Sequence, residues 1–117
     1  MTPRAVRLFD ANTLDWTHHE RFPAIQIKVL EGRATHPAAS IMRVQLGVGG
    51  LIDTHLHEVE TETALVLAGR AQLTYGDEQA LLAAGAGVTI PPGTLHSLRN
   101  VGDVTLELIA IHTPPTR

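Results

Sequence analysis

Hydrophobic and polar residues alternate along much of this chain. The run IQIKV at 25–29 has the two-residue period of a half-buried strand. Similar short runs, separated by Gly and Pro, predict further strands at 40–46, 55–57, 63–67, 71–75, 78–82, 88–90, 95–98 and 104–112. Short strands at such regular spacing are typical of an all-β sandwich or barrel.

Turn residues refine this prediction. The dipeptide Gly76-Asp77 predicts a tight hairpin of the kind that has glycine first. The Ala and Leu content of 79–86 suggests a helix as an alternative, but Gly85 and Gly87 would each weaken it. A chain of 117 residues supports one hydrophobic core, so we expect a single domain over 1–117, with 1–24 as an arm and edge strand.

Charge and composition narrow the classes of partner. Nine Lys and Arg stand against twelve Asp and Glu, without a basic cluster, and only four residues are Phe, Trp or Tyr. We therefore expect no nucleic-acid partner. The absence of cysteine excludes disulfides and thiol nucleophiles. No apolar run reaches the length of a membrane span, so we expect no membrane partner and a cytoplasmic protein.

Four residues suggest a metal site. His55 and His57 lie two apart in a predicted strand, so both imidazoles would share one face. Glu62 follows after a bend, and His96 comes directly after the rigid turn at 91–93. Three imidazoles and one carboxylate suit a divalent Fe, Mn, Ni, Zn, Co or Cu ion. The alternative is that the His-x-His pair faces solvent by chance.

The spacing around these four residues resembles the two motifs of the cupin superfamily. The first motif spans 49–69 and the second spans 85–100, with 15 residues between them. The matching positions are Gly49, His55, His57, Glu62 and Gly69, then Gly85, Pro91, Gly93, His96 and Asn100. The resemblance implies a double-stranded β-helix, a conical jelly-roll-like barrel of two antiparallel sheets, with one divalent ion near its mouth.

Carried over by position, the ligands of the family fall on His55, His57, Glu62 and His96. The same resemblance places Gly69 and Gly85 at turns that need positive φ or close backbone approach, and Gly93 in the tight turn that orients His96. Asn100 is expected to cap a turn rather than to contact the metal.

A substrate pocket is predicted beside this site. Ala64 and Val66 share the face of Glu62 and are expected to line this pocket. Leu98 is a further candidate for its lining. Arg43 would suit a substrate carboxylate, but a simple turn at 47–50 would pair Met42 with His55, placing Met42 on the metal face and Arg43 outside.

His112 is a further pocket candidate. It has the parity of the apolar positions 106, 108 and 110, which are expected to face the interior. The alternative is that His112 is a surface histidine ahead of Pro114.

The resemblance favours a metal-dependent enzyme with a dioxygenase-like activity on a small carboxylate or enol. Decarboxylases and isomerases share the fold and ligand set, so the reaction type stays open. The alternative is a non-catalytic module that binds a metal or a small ligand.

Assembly into a homodimer is also expected. Ile109 and Ile111 have the outward parity of Thr105 and Glu107, so two large aliphatic side chains would meet water. A second copy would cover them and form a self-complementary interface. The alternative is a monomer whose own N-terminal segment folds over the same isoleucines.

Overall fold

The computed structural model describes residues 5–117, which form ten β-strands and one short 3₁₀ helix at Ala11–Thr13. The strands are β1 Thr17–His18, β2 Ile25–Glu31, β3 Ser40–Leu46, β4 Leu51–His55, β5 Thr61–Ala68, β6 Arg70–Tyr75, β7 Glu78–Ala83, β8 Gly87–Ile90, β9 His96–Asn100 and β10 Leu106–Thr113. Within 5–117, no helix has the length and apolar character needed to span a membrane.

The strands form two antiparallel sheets. The six-stranded sheet has the order β1-β2-β3-β10-β5-β8, and the four-stranded sheet has the order β4-β9-β6-β7. The chain crosses repeatedly between the sheets, because β3, β5 and β10 lie in one and β4, β6 and β9 in the other. The predicted all-β double-stranded β-helix is confirmed, and the helical alternative over 79–86 is replaced by β7.

The core lies between the sheets and follows the alternation seen in the sequence. Strand β3 alternates strictly between buried and half-buried positions, with Met42, Val44 and Leu46 inward. Strand β10 does the same, with Leu106 and Leu108 among its buried residues. Each such side chain contributes about 1.5–3 kcal/mol when fully buried.

Glycine and asparagine close the turns as predicted. The four motif glycines 49, 69, 85 and 93 all have positive φ, and a Cβ on Gly69 would lie 3.1 Å from the Leu106 Cα. Gly76 has a φ of +56° in the hairpin between β6 and β7. Asn100 is buried, its amide donating to the Leu46 and Val104 carbonyls while its oxygen accepts from the Gly102 N–H.

One strand prediction was wrong in a way that affects the site. The predicted strand 55–57 is instead β4, which begins at Leu51 and ends at His55. Its pairing with β9 is irregular between Ile52 and His55, after which the chain leaves the four-stranded sheet to reach β5 in the other. His57 therefore lies in a connection, and strand alternation does not explain its orientation.

The N-terminal arm packs on the outer face over β2 and β3. The Trp16 ring lies 4.7 Å from the Lys28 Nζ and 5.6 Å from the Arg43 guanidinium carbon. Lys28 also donates to the Ala11 carbonyl at 2.9 Å. These cation–π contacts and hydrogen bonds hold the arm across one half of the sheet.

The other half of that outer face stays open. A shallow groove of about 480 Å³ is lined by Thr63, Ala64, Leu65, Gly87, Val88, Thr89, Ile109 and Ile111. No arm residue from 5 onward lines this groove, so the described arm does not cover the isoleucines in the way that the monomer alternative requires. The homodimer stays a prediction.

We expect Ile109→Glu to convert a dimer into monomers, because a carboxylate in place of this aliphatic side chain would have to be desolvated on association. Light scattering at micromolar concentration measures the mass. Leu81→Glu is the matched control, since Leu81 is 62% exposed on the other sheet. A wild-type mass of one chain would contradict the dimer, and an Ile109→Glu dimer would exclude this face as its interface.

Candidate metal centre

Two cross-strand pairs, one in each sheet, provide four side chains of the site. His55 at the end of β4 pairs directly with His96 at the start of β9, and their ring centroids lie 4.3 Å apart. In the other sheet, Glu62 of β5 pairs directly with His112 of β10. Directly paired residues of antiparallel strands project from the same face, so each pair points as a unit into the space between the sheets.

The fifth side chain, His57, comes from the connection between β4 and β5. Its carbonyl accepts a hydrogen bond from the Gly93 N–H at 2.8 Å. Gly93 has a φ of +80°, which a residue with a side chain adopts only with strain. The second motif thus fixes both the start of β9 and the position of His57, whose ring centroid lies 5.6 Å from that of His96.

Backbone carbonyls orient two of the imidazoles. His55 Nδ1 lies 2.8 Å from the Asp53 carbonyl oxygen, and His96 Nδ1 lies 2.9 Å from that of Thr94. Because a carbonyl only accepts, each Nδ1 donates, which leaves the neutral ring with a free lone pair on Nε2. This is the arrangement in which a histidine ligates a metal through Nε2.

The residues present fit a divalent ion. The Nε2 atoms of His57 and His96 are buried without a hydrogen bond in the described protein, although His96 Nε2 lies 3.1 Å from Oε2 of Glu62. Ligand atoms of His55, His57 and His96 lie within 4.8 Å of one another. Buried polar atoms normally have partners, so convergent nitrogen atoms without one suit the coordination of a cation. The assignment of His55, His57, Glu62 and His96 as ligands remains a prediction that this geometry favours.

Glu62 supplies the negative charge of the site. Its Oε2 lies 3.1 Å from His96 Nε2, and its Oε1 lies 3.0 Å from His112 Nε2. Burial by itself would raise the pKa of Glu62, but the neighbouring His112 and His96 rings outweigh it and hold that pKa well below its usual range. The carboxylate is therefore ionised at neutral pH and able to bind a cation.

The imidazoles differ in their proton affinity. Burial lowers the pKa of both His55 and His57. Burial also acts to lower the pKa of His96, but Glu62 and the Thr94 carbonyl overcome it and raise that pKa. At neutral pH His55 and His57 are thus in the neutral form that coordinates metals.

A small apolar cavity of about 40 Å³ adjoins the site. It is lined by Ile52, His55, Glu62, Ala64, Val66, Leu73, Leu82, Val88, Ile90, His96, Leu98 and Leu108. Ala64, Val66 and Leu98, which the sequence assigned to a substrate pocket, line this cavity, and its role in substrate binding stays a prediction. Met42 faces inward but lies in the hydrophobic core and does not line this cavity.

The structure corrects the pocket prediction for Arg43. Its guanidinium pairs with the Glu107 carboxylate at 2.6 Å on the outer face. The simple turn had also placed Arg43 outside, but through a pairing of β3 with β4, whereas β3 pairs with β2 and β10. Arg43 is therefore unavailable to a substrate in the cavity.

His112 lies in the interior, so its alternative as a surface histidine is wrong, but it does not line the apolar cavity. It is 4% exposed and its ring centroid lies 4.8 Å from that of His57. Glu62, His57 and His112 also have ligand atoms within 4.8 Å of one another. The alternation along β10 had indicated this interior position, because His112 has the parity of the inward-facing positions 106, 108 and 110.

Sequence reasoning missed several neighbours of the site. Phe22 packs against His55 with ring centroids 4.9 Å apart, although it precedes β2 and follows no periodic pattern. Leu73 and Leu82 line the cavity from strands whose facing neighbours the sequence does not reveal. Thr116 and Ser40 contact each other and Thr116 contacts His112, although Thr116 follows two prolines in a segment without strand pattern.

The sequence profile of the cupin domain matches residues 42–112. The xanthan biosynthesis protein XanB of Xanthomonas campestris pv. campestris (strain B100) is 33% identical over 73 residues, which are 62% of this chain and 16% of that protein. Quercetin 2,3-dioxygenase of Bacillus subtilis (strain 168) is 38% identical over 68 residues, which are 58% of this chain and 20% of that protein. The matched region is thus no more than a fifth of either relative.

Solved structures with the same fold match over a larger share of their length. KdgF from a Halomonas species has a TM-score of 0.82 and 23% identity, covering 94% of each chain. A protein described as a predicted oxalate decarboxylase from Thermotoga maritima has a TM-score of 0.84 and 21% identity, covering 92% of this chain and 99% of its own. At these identities the similarity concerns the fold.

We expect His57→Ala and His96→Ala each to abolish stoichiometric binding of a divalent metal while leaving a folded β protein, because the core between the sheets does not depend on the ion. Elemental analysis and circular dichroism measure the two properties. His18→Ala, at an exposed position, is the control. Full metal occupancy in both ligand variants would contradict the assignment.

Metal affinity is expected to weaken as pH falls below about 6, because protons compete with the ion for the imidazoles. His96 gains its proton first on acidification, since its pKa is raised, and His55 and His57 follow because theirs are lowered. A chelator competition for Zn²⁺ between about pH 7.5 and about pH 5.5 measures the trend. An affinity that does not change over this range would contradict histidine ligation.

Proposed function

The chain belongs to the cupin family, and we propose that it is a metal-dependent enzyme that acts on a small enol or carboxylate at one divalent ion held by His55, His57, Glu62 and His96. The observation that carries this proposal is the convergence of buried imidazole nitrogens, two of them without a hydrogen-bond partner, beside an ionised carboxylate. Such a cluster is costly to bury unless a cation occupies it.

An oxygenase reaction is the activity that the cavity supports best. Nine aliphatic side chains line the cavity together with His55, Glu62 and His96, and its volume is about 40 Å³. A cavity that is apolar and this small favours a small apolar molecule such as dioxygen over water. When bound, a redox-active ion supplies Lewis acidity toward substrate oxygen atoms and a path for electrons to dioxygen. The similarity to quercetin 2,3-dioxygenase points to the same class of reaction.

The lining of the cavity favours an enol over a carboxylate. Among residues 5–117, no lysine or arginine lines it, and Arg43 is paired with Glu107 outside. A carboxylate substrate would therefore lack a guanidinium or ammonium partner. A small enol needs only the ion for its oxygen atoms, and its remaining atoms would lie outside a cavity of about 40 Å³.

Binding without turnover is the second candidate function. Glu58 is exposed, and neither it nor Glu60 lines the cavity. Apart from Glu62 and the histidines, the described residues thus place no proton acceptor there. A module that senses or stores a metal or small ligand would use the same ligand set without needing such a group.

The two functions differ in oxygen consumption. Wild-type protein is loaded separately with Fe²⁺, Mn²⁺, Co²⁺, Ni²⁺ or Cu²⁺, and dioxygen uptake is followed with small enols and small carboxylates. We expect uptake with at least one enol and none in His96→Ala, which controls for free metal. Metal bound in full with no uptake for any substrate would favour the binding module.

Cavity-filling variants test the location of the reaction in the same assay. Ala64→Val adds two methyl groups to the cavity and is expected to reduce oxygen uptake while metal content stays stoichiometric. Thr63→Val is the matched control, because the neighbouring Thr63 is exposed on the outer face of the same strand. Equal rates in both variants would show that the cavity does not serve the reaction.

A further inference from the structure

His112 lies outside both motifs that carry the metal site, yet it is directly paired with Glu62 across β5 and β10. It is 4% exposed, and its Nε2 lies 3.0 Å from Oε1 of Glu62. The oxygen that it contacts is not the one nearest His96, which is Oε2 at 3.1 Å. The two carboxylate oxygens therefore have different partners.

A chain of hydroxyl groups lies behind His112. Its Nδ1 is 3.3 Å from Thr116 Oγ1, which is 3.1 Å from Ser40 Oγ. Ser40 Oγ already accepts from the Thr116 N–H at 3.0 Å, so its own proton is available to Thr116 Oγ1. The Thr116 proton is then available to His112 Nδ1, and His112 carries its proton on Nε2, where it donates to Glu62.

His112 carries its proton on Nε2, whereas the predicted ligands His55 and His96 carry theirs on Nδ1. His55 and His96 donate from Nδ1 to backbone carbonyls, which frees Nε2 for an ion. His112 faces a hydroxyl group at Nδ1 and a carboxylate at Nε2. A ring nitrogen that donates to a carboxylate has no lone pair for a metal.

We propose that His112 is a positioning residue that occupies Oε1 of Glu62 and leaves Oε2 as the only oxygen for the ion. The proposal rests on the metal site of the proposed function and adds the role of a residue outside both motifs. It explains why a histidine is buried beside the site without joining His55, His57 and His96 as a ligand. Ser40 and Thr116 in turn fix the tautomer of His112.

Three variants test the role. His112→Leu removes the hydrogen-bond donor and is expected to weaken Zn²⁺ affinity about 10- to 100-fold, the usual effect of losing a partner of a metal ligand. His112→Gln keeps an N–H donor and is expected to restore most of the affinity. Thr116→Val removes the hydroxyl group behind the ring, and we expect a smaller loss. His18→Gln, at an exposed position, is the control.

Absorption and NMR spectra report on the site itself, and thermal unfolding reports on the stability of the fold. The absorption spectrum of the Co²⁺-loaded protein is expected to change in His112→Leu and to return toward that of the wild type in His112→Gln. Thermal unfolding of the metal-free variants measures stability independently. In the Zn²⁺-loaded wild type, ¹⁵N–¹H correlation spectra are expected to place a proton on Nε2 of His112 and on Nδ1 of His55 and His96.

The outcomes are distinct. Zn²⁺ affinity and a Co²⁺ spectrum unchanged in His112→Leu would overturn the positioning role while leaving the proposed function intact. An Nε2 atom of His112 without a proton in the Zn²⁺-loaded protein would overturn it as well, because His112 would then be a ligand. A wild-type protein that binds no metal would overturn the proposed function itself, and the role of His112 toward an ion with it.

Discussion

The site depends on strand register in two separate sheets. His55 opposes His96 in one sheet, and Glu62 opposes His112 in the other. A shift of one residue in either ladder would turn a paired side chain away from the interior. The buried aliphatic residues of β3 and β10, such as Leu46 and Leu106, hold the larger sheet in register, so the hydrophobic core also determines the geometry of the polar site.

The charges and hydrogen bonds of these side chains then determine which ion the site can bind. A buried carboxylate is unfavourable unless charge or hydrogen bonds compensate it, and Glu62 has an imidazole at each oxygen. The Nε2 atoms of His57 and His96 nevertheless lack a hydrogen bond, and that of His96 only lies near Oε2 of Glu62 at 3.1 Å. A divalent cation would satisfy these atoms together with Glu62. The apolar cavity alongside lowers the polarity around any such ion and leaves space for a molecule no larger than dioxygen or water.

The sequence was informative where the signal is local. Alternation predicted β2 and β3, Gly76-Asp77 predicted the hairpin, and motif spacing brought together the four predicted ligands. The sequence was not informative where a contact joins residues that lie far apart along the chain. Arg43 forms an ion pair with Glu107 of β10, and His112 meets Glu62 from 50 residues away. The spacing of the motifs does not predict that Glu62 and His112 are paired. The position of His57 depends on a hydrogen bond from Gly93, which strand alternation cannot anticipate.

The central claim is that three imidazoles and one carboxylate of this chain hold one divalent ion. X-ray absorption spectroscopy of the protein loaded with one equivalent of Zn²⁺ tests it most directly, because multiple scattering counts imidazole ligands. The account predicts three imidazoles and at least one oxygen ligand at about 2.0–2.2 Å. A shell made of oxygen atoms alone, or one with fewer than three imidazoles, would contradict it.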